Sequence, residues 1–334
     1  MNKTYHPIIG WLYVPNQCRR MPDPTQPHYI RTNSQGFRSN FDFHKESQGK
    51  KRIIFLGDSF TAGEGVANED RYSDLLMDSI GNLECYNFGL KGSGTDQQVL
   101  IYEHFAKQFD HDMIFLGFLM EDIGRLGHEV VWRAHRFAAT EFEVIPKPYF
   151  YEKGGELHLG NIPVDRPRLS RDAGKNNVVL NRVKYLYERS PAIATYLERW
   201  AREAQSYFSE LVLSYIILDK YGRYYYKTDE NWRLMERIIK RLIKDSDNKT
   251  IMICPIPEIR ALSSVFKVKH QSLFEHLQNE FENVIFLDIV DYLKDYSRED
   301  RHNMTSISTL HLTKFGNFII SNAIRECLIN NGLV

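Results

Sequence analysis

Between residues 51 and 122, short apolar runs alternate with amphipathic stretches. RIIFLG follows two charges and reads as a first strand, ending in Gly57-Asp58-Ser59. DRYSDLLMDSI (70–80) sets Tyr72, Leu75, Leu76 and Ile80 on one side of a helix. LECYNFG (83–89) is a second strand. TDQQVLIYEHFAKQF (95–109) is a helix with Thr95 or Asp96 at its cap and a stripe of Val99, Tyr102, Phe105, Ala106 and Phe109. DMIFLGFLM (112–120) is a third strand, almost wholly apolar. Runs without polar alternation predict strands covered on both faces, as in a parallel sheet.

The alternation then lapses. KPYFYEKGGELHLGNIPV (147–164) predicts a hairpin turning at Lys153-Gly154-Gly155, and Ser190-Pro191 opens a helical stretch reaching about residue 219. It resumes with a helix at 231–245, a strand at 250–257, a helix at 268–281, a strand at 283–290 and a closing helix at 314–332. The fold class is therefore α/β, a doubly wound parallel sheet assembled from 51–122 plus 231–334. Residues 123–230 form an inserted hairpin and helical subdomain covering the strand-end rim. Residues 1–50, rich in Pro, Asn, Gln and Ser, form an irregular arm packed on the core.

Charge removes several function classes. Forty-three basic residues balance 43 acidic ones, which leaves no general attraction to nucleic acid or an acidic membrane surface. Cys18, Cys85, Cys254 and Cys327 are scattered without metal-ligand spacing, so neither a zinc site nor a disulfide framework is expected. The N-terminus lacks a signal-peptide apolar core, and no stretch reaches the roughly 18 apolar residues of a membrane span, so the expectation is a cytoplasmic protein. Gly89-x-x-Gly92-x-Gly94 and Gly63-x-Gly65 lack dinucleotide spacing. His104, His111 and His158 have no partners at metal-ligand spacing, RIIKRLIK (237–244) is a surface helix, and the aromatic-basic KYGRYYYK (220–227) is a structured loop of the insertion.

The chemistry concentrates just beyond the strand ends. Ser59 follows strand one, the run from Asn87 to Gly94 follows strand two, Glu121-Asp122 follows strand three, and His311 precedes the last helix. In an open α/β sheet these positions gather at one rim. A serine, a histidine and a glycine-lined loop together are what acyl transfer requires: nucleophile, base and oxyanion donors. The alternative reading of Ser59 is a simple helix cap.

In this arrangement the chain resembles the SGNH, or GDSL, hydrolases over roughly 51–122 and 245–330. The resemblance implies a three-layer, flavodoxin-like sheet. It implies Ser59 as nucleophile with its own N–H as an oxyanion donor, Gly92 as a second donor, and His311 as general base. Two positions depart from the family pattern: Glu121 stands where an asparagine donor belongs, and Ser308 where the acid three residues before the histidine belongs. Asp300, or a backbone carbonyl, is left to orient His311, and the insertion, Ser93, Thr95 or Asn87 is left to supply a third donor. Asp58 and Asp122 are further supporting candidates, and His302 is a competing base. The implied activity is cofactor-free and metal-free ester hydrolysis through an acyl-Ser59 intermediate, acting on a small-molecule or carbohydrate ester such as an acetylated sugar. The alternatives are an O-acyltransferase and a catalytically inactive binding or assembly protein.

Overall fold

A computed structural model describes residues 2–21, 28–134, 142–170, 230–257, 271–306 and 311–334. The expected helix from Ser190-Pro191, the 220–227 segment, Ser308 and Thr309 lie outside the described residues.

The arm departs from the irregular form expected of it. It holds two antiparallel hairpins, β1 (Lys3–His6) with β2 (Gly10–Tyr13), and β3 (Cys18–Met21) with β4 (His28–Arg31). Strands of four residues carry little local signal. Burial fixes the first hairpin, whose Trp11, Leu12 and Tyr13 share one hydrophobic core with Ile9, Phe37 and Phe43, whereas Ile30 is the one buried residue of the second.

The central sheet has five parallel strands. They are β5 (Lys51–Gly57), β6 (Leu83–Asn87), β7 (Met113–Leu119), β13 (Thr250–Ile256) and β14 (Val284–Phe286), in the order β14-β13-β7-β5-β6. Between β7 and β13 the chain adds a three-stranded antiparallel sheet of β8 (Val130–Ala134), β9 (Phe142–Pro146) and β12 (Arg168–Ser170). It also adds the expected hairpin of β10 (Tyr149–Lys153) and β11 (Glu156–Gly160).

Period-two alternation divides each central strand between two cores. Ile54 and Leu56 face one with Ile114, Leu116, Ile251 and Ile253, whereas Ile53 and Phe55 face the other with Met113, Phe115 and Met252. On the first face lie α2 (Thr95–Ile101), α3 (Glu230–Asp245), α4 (Gln271–Glu280) and the arm; Val99, Met235 and Leu277 are among the side chains buried there. On the second lie α1 (Tyr72–Ser79), α5 (Ile289–Leu293) and, beyond α6 (Arg298–Asn303), α7 (Lys314–Asn330). Cys85 and Cys254 are buried as small core residues, and all four cysteines are free.

Two elements end earlier than the apolar pattern suggests. The helix after β6 widens into a π-turn at Tyr102–Ala106, with the Lys107 N–H bonded to the Tyr102 carbonyl at 2.8 Å, yet keeps Val99, Tyr102, Ala106 and Phe109 buried. β14 stops at Phe286 because Asp288 caps α5, its carboxylate accepting the Val290 and Asp291 N–H groups at 2.9 and 3.2 Å.

From β5 the chain turns toward the β6 edge, while from β7 it continues toward β13 and β14. The connections therefore diverge between β5 and β7, which opens a crevice beyond their carboxyl ends. Gly57 pairs with Gly117 there. A β-carbon at Gly57 would collide with the Gly117 carbonyl and the Thr61 side chain. Gly57→Ala is therefore expected to lower unfolding free energy in a urea titration by about 1–3 kcal/mol or more, because backbone on one side cannot yield.

Candidate active site

The chain coils immediately on leaving β5. The Asp58 carbonyl accepts the Ala62 N–H at 2.9 Å, and the Ser59 carbonyl accepts the Glu64 N–H at 3.0 Å. Asp58 is fully buried, and both its carboxylate oxygens are used: Oδ1 accepts the Phe60 N–H at 2.7 Å, and Oδ2 accepts the Leu119 N–H at 2.6 Å. This carboxylate ties the turn after β5 to the end of β7 and leaves half-buried Ser59 at the crevice. A charged acceptor with two backbone donors is a strong bracket, each such bond contributing about 1.5–3 kcal/mol.

His311 arrives from the other end of the chain. Its carbonyl accepts the Ser306 N–H at 2.8 Å, and Leu312 bridges to Thr305. Thr313 then caps α7 by accepting the Gly316 N–H at 3.1 Å. Gly316 is required because a β-carbon there would collide with the Met304 carbonyl. Held in this way, His311 Nε2 lies 2.9 Å from Ser59 Oγ across 252 positions of sequence. The Phe60 ring lies beside the imidazole, with centroids 5.5 Å apart. His302, the competing base, sits on α6 with Nδ1 at 3.0 Å from the Arg298 carbonyl, so the imidazole at the serine is that of His311.

The loop after β6 forms the adjoining wall. The Phe88 and Leu90 N–H groups bond to the Phe55 and Gly57 carbonyls at 2.8 and 3.0 Å, which extends the β5–β6 pairing past the strand ends. Gly92 has φ of +80°, the left-handed region that glycine tolerates. Among the described residues nothing accepts the N–H of Ser59 or of Gly92.

Several expected supporting roles are overturned because the side chains are engaged elsewhere. Asn87 donates both amide hydrogens, to the Thr61 carbonyl at 2.8 Å and Ser73 Oγ at 2.7 Å, and its oxygen accepts the Gly89 N–H, so it is no oxyanion donor. The Ser93 hydroxyl is directed to the Leu90 carbonyl at 2.8 Å. Asp300 accepts the Ser297 hydroxyl at 2.6 Å in the cap of α6, and among the described residues no hydrogen bond joins it to His311. Asp122, buried, pairs with Arg125 at 2.7 Å in the turn that follows β7. Glu121 belongs to that same turn, and its side chain lies outside the described residues.

Sequence reasoning missed the charges around the loops. Glu64 is buried and pairs with the half-exposed Lys91 at 2.5 Å. Burial opposes ionisation of Glu64, but the Lys91 ammonium, joined by Arg38 and His311, outweighs it and holds the carboxyl below its ordinary value. Arg38, fully buried, donates to the Gly63 and Val66 carbonyls at 2.6 and 2.9 Å and so fastens the loop behind Ser59. Burial and the neighbouring Arg71 charge pull its pKa down to about 10, and it is still charged at neutral pH. Only the contact partners reveal these roles; nothing in the local sequence marks them. Among the described residues one trio of possible metal ligands comes together, Glu236, His276 and Glu280, on α3 and α4; the Lys240 ammonium already bridges both carboxylates, at 3.0 and 2.8 Å. No described helix is long and apolar enough to cross a membrane.

No protein-family model matches the chain, and neither does any curated protein. Solved structures with a similar trace include a member of the lipolytic protein G-D-S-L family from Veillonella parvula. It is 13% identical, with a TM-score of 0.43, over 84% of this chain and 99% of that one. They also include a lipase/acylhydrolase from Enterococcus faecalis, 9% identical with a TM-score of 0.43, over 84% of this chain and 96% of that one. A third is the alpha/beta hydrolase LAE5 from the metagenome of Lake Arreo, 11% identical with a TM-score of 0.43, over 85% and 95% of the two chains. At these identities and scores, the functional reading rests on this chain's own geometry.

Glu64 has a lower pKa folded than unfolded, so its stabilising contribution is complete above the ordinary carboxylate value of about 4.3 and is lost as pH falls through the lowered folded value. Glu64→Gln should flatten this acid limb. Urea unfolding measured from pH 3 to pH 7 should show the variant losing less stability on acidification than the parent.

Proposed function

We propose that this chain is an SGNH-type serine ester hydrolase that works through an acyl-Ser59 intermediate. The observation that carries the reading is the 2.9 Å contact between Ser59 Oγ and His311 Nε2 at the sheet's switch point. In neutral His311, Nε2 accepts the Ser59 proton as Oγ attacks the ester carbonyl. The carbonyl oxygen becomes negative and receives the N–H groups of Ser59 and Gly92. Collapse of the tetrahedral species breaks the bond to the alcohol, and His311 returns the proton to that leaving oxygen. A water then attacks acyl-Ser59 by the same path in reverse, which releases the acid and regenerates the hydroxyl.

The substrate class is a carboxylic ester of a small molecule or carbohydrate, with removal of acetyl from a sugar as the leading case. Transfer to another alcohol uses the same acyl-enzyme with a different second nucleophile. A carboxylate at position 121 and a serine at position 308 favour a second reading, a noncatalytic binder on the same fold.

A fluorophosphonate probe separates the two. Hydrolase chemistry requires phosphonylation of Ser59, abolished in Ser59→Ala and slowed about 10²–10⁴-fold in His311→Ala, as loss of a general base does. A folded parent protein that resists the probe rules out the hydrolase and favours the binder.

The rate should also follow the protonation of His311. Hydrolysis of p-nitrophenyl acetate is expected to rise with pH and then level off as the imidazole loses its proton, because only the neutral ring accepts one. A His311→Ala variant with the parent's rate and pH profile would exclude His311 as base.

A further inference from the structure

The peptide joining Lys91 to Gly92 is gripped by the N-terminal arm. The Lys91 carbonyl oxygen accepts two hydrogen bonds from arm side chains, Lys3 Nζ at 2.7 Å and Trp11 Nε1 at 3.2 Å. The Lys91 N–H donates to Tyr13 Oη at 3.0 Å, and burial keeps that phenol protonated by pushing its pKa up. Lys3 Nζ is itself held 4.4 Å above the Trp11 ring, and Trp11 and Tyr13 are buried. Three side chains of one hairpin thus hold both polar groups of the residue preceding the candidate oxyanion glycine.

Peptide planarity carries this grip one atom further. In a trans peptide the C=O and the next N–H point in opposite directions. With the Lys91 oxygen fixed on the arm side, the Gly92 N–H must leave on the other side. The loop on either side of this peptide packs on the end of β5, because the Leu90 N–H and Ser93 Oγ both reach the Gly57 carbonyl, at 3.0 and 3.2 Å, two residues before Ser59. An ammonium on the carbonyl oxygen also draws electron density from the amide and strengthens its N–H as a donor.

We propose that the β1–β2 hairpin positions and polarises the Lys91–Gly92 peptide as an oxyanion donor, with Lys3 and Trp11 as positioning residues. This rests on the hydrolase reading of Ser59. It assigns to the arm a part in the reaction, beyond packing, although none of its side chains touches the reacting atoms. Without Lys3 the peptide can rock about its flanking dihedrals, and the donor weakens precisely in the transition state, where its contribution is largest.

The test compares the parent protein with Lys3→Met, Lys3→Arg and Trp11→Phe in two readouts. The first is the rate of fluorophosphonate labelling at saturating and at limiting probe. Lys3→Met should lower the maximal labelling rate about 10-fold with little change in half-saturation, part of the 10²–10³ lost with a whole oxyanion donor. Trp11→Phe should fall less, and Lys3→Arg should recover most of the rate. The second readout is the Gly92 amide proton after selective 15N-glycine labelling. It should move upfield in Lys3→Met and return in Lys3→Arg, whether or not the protein turns over an ester. A maximal labelling rate in folded Lys3→Met equal to the parent's overturns the inference. If the parent is never labelled, the hydrolase reading fails by itself. The Gly92 resonance then decides the positioning claim, and an unmoved resonance overturns it.

Discussion

A buried carboxylate governs the geometry of this protein. Asp58 accepts one backbone N–H from the turn it begins and another from the end of the neighbouring strand. The sheet's divergence between β5 and β7 creates the crevice, but divergence alone would leave its mouth loose. The carboxylate closes that mouth with bonds from both sides, in an interior where an unpaired charge would be costly. Ser59 is carried on the bracket and has little freedom to drift from His311.

Around that bracket the N-terminal arm acts as a second frame. Arg38 holds the Gly63 and Val66 carbonyls of the loop behind Ser59, while Lys3, Trp11 and Tyr13 hold the peptide before Gly92. The aromatic core beneath it, with Phe37 and Phe88 in edge contact at 4.7 Å and Phe43 stacked on Tyr86 at 4.4 Å, gives these polar contacts a rigid base. The described residues of the arm therefore bear on both loops of the candidate site, although they contribute no strand to the central sheet.

Much of the fold was legible because burial imposes periodicity. Continuous apolar runs at 53–57 and 113–119 mark strands covered on both faces, and the stripe through Val99, Tyr102 and Phe109 marks a helix against them. The hairpins of the arm were not legible, since four-residue strands owe their existence to partners far along the chain. The end of β14 is hidden for a related reason: Ile289 and Val290 are as apolar as a strand requires, but the Asp288 carboxylate captures the Val290 and Asp291 N–H groups for a helix.

At the candidate site, the sequence by itself determined which residue types stand beyond the strand ends and the order in which they occur: Ser59 after a strand, Gly92 in a glycine-rich loop, His311 before the last helix. Residue type and position relative to strand ends are local properties that a linear reading can follow. Tertiary structure alone decided which groups were already engaged. Asn87, Ser93 and Asp300 looked available as letters, yet each is occupied by a neighbour, while Lys3 and Glu64 looked ordinary and stand against the working loops. A hydrogen-bonding group has a fixed number of bonds to give, and where they go depends on what folding brings within about 3 Å, not on the residue's neighbours in sequence.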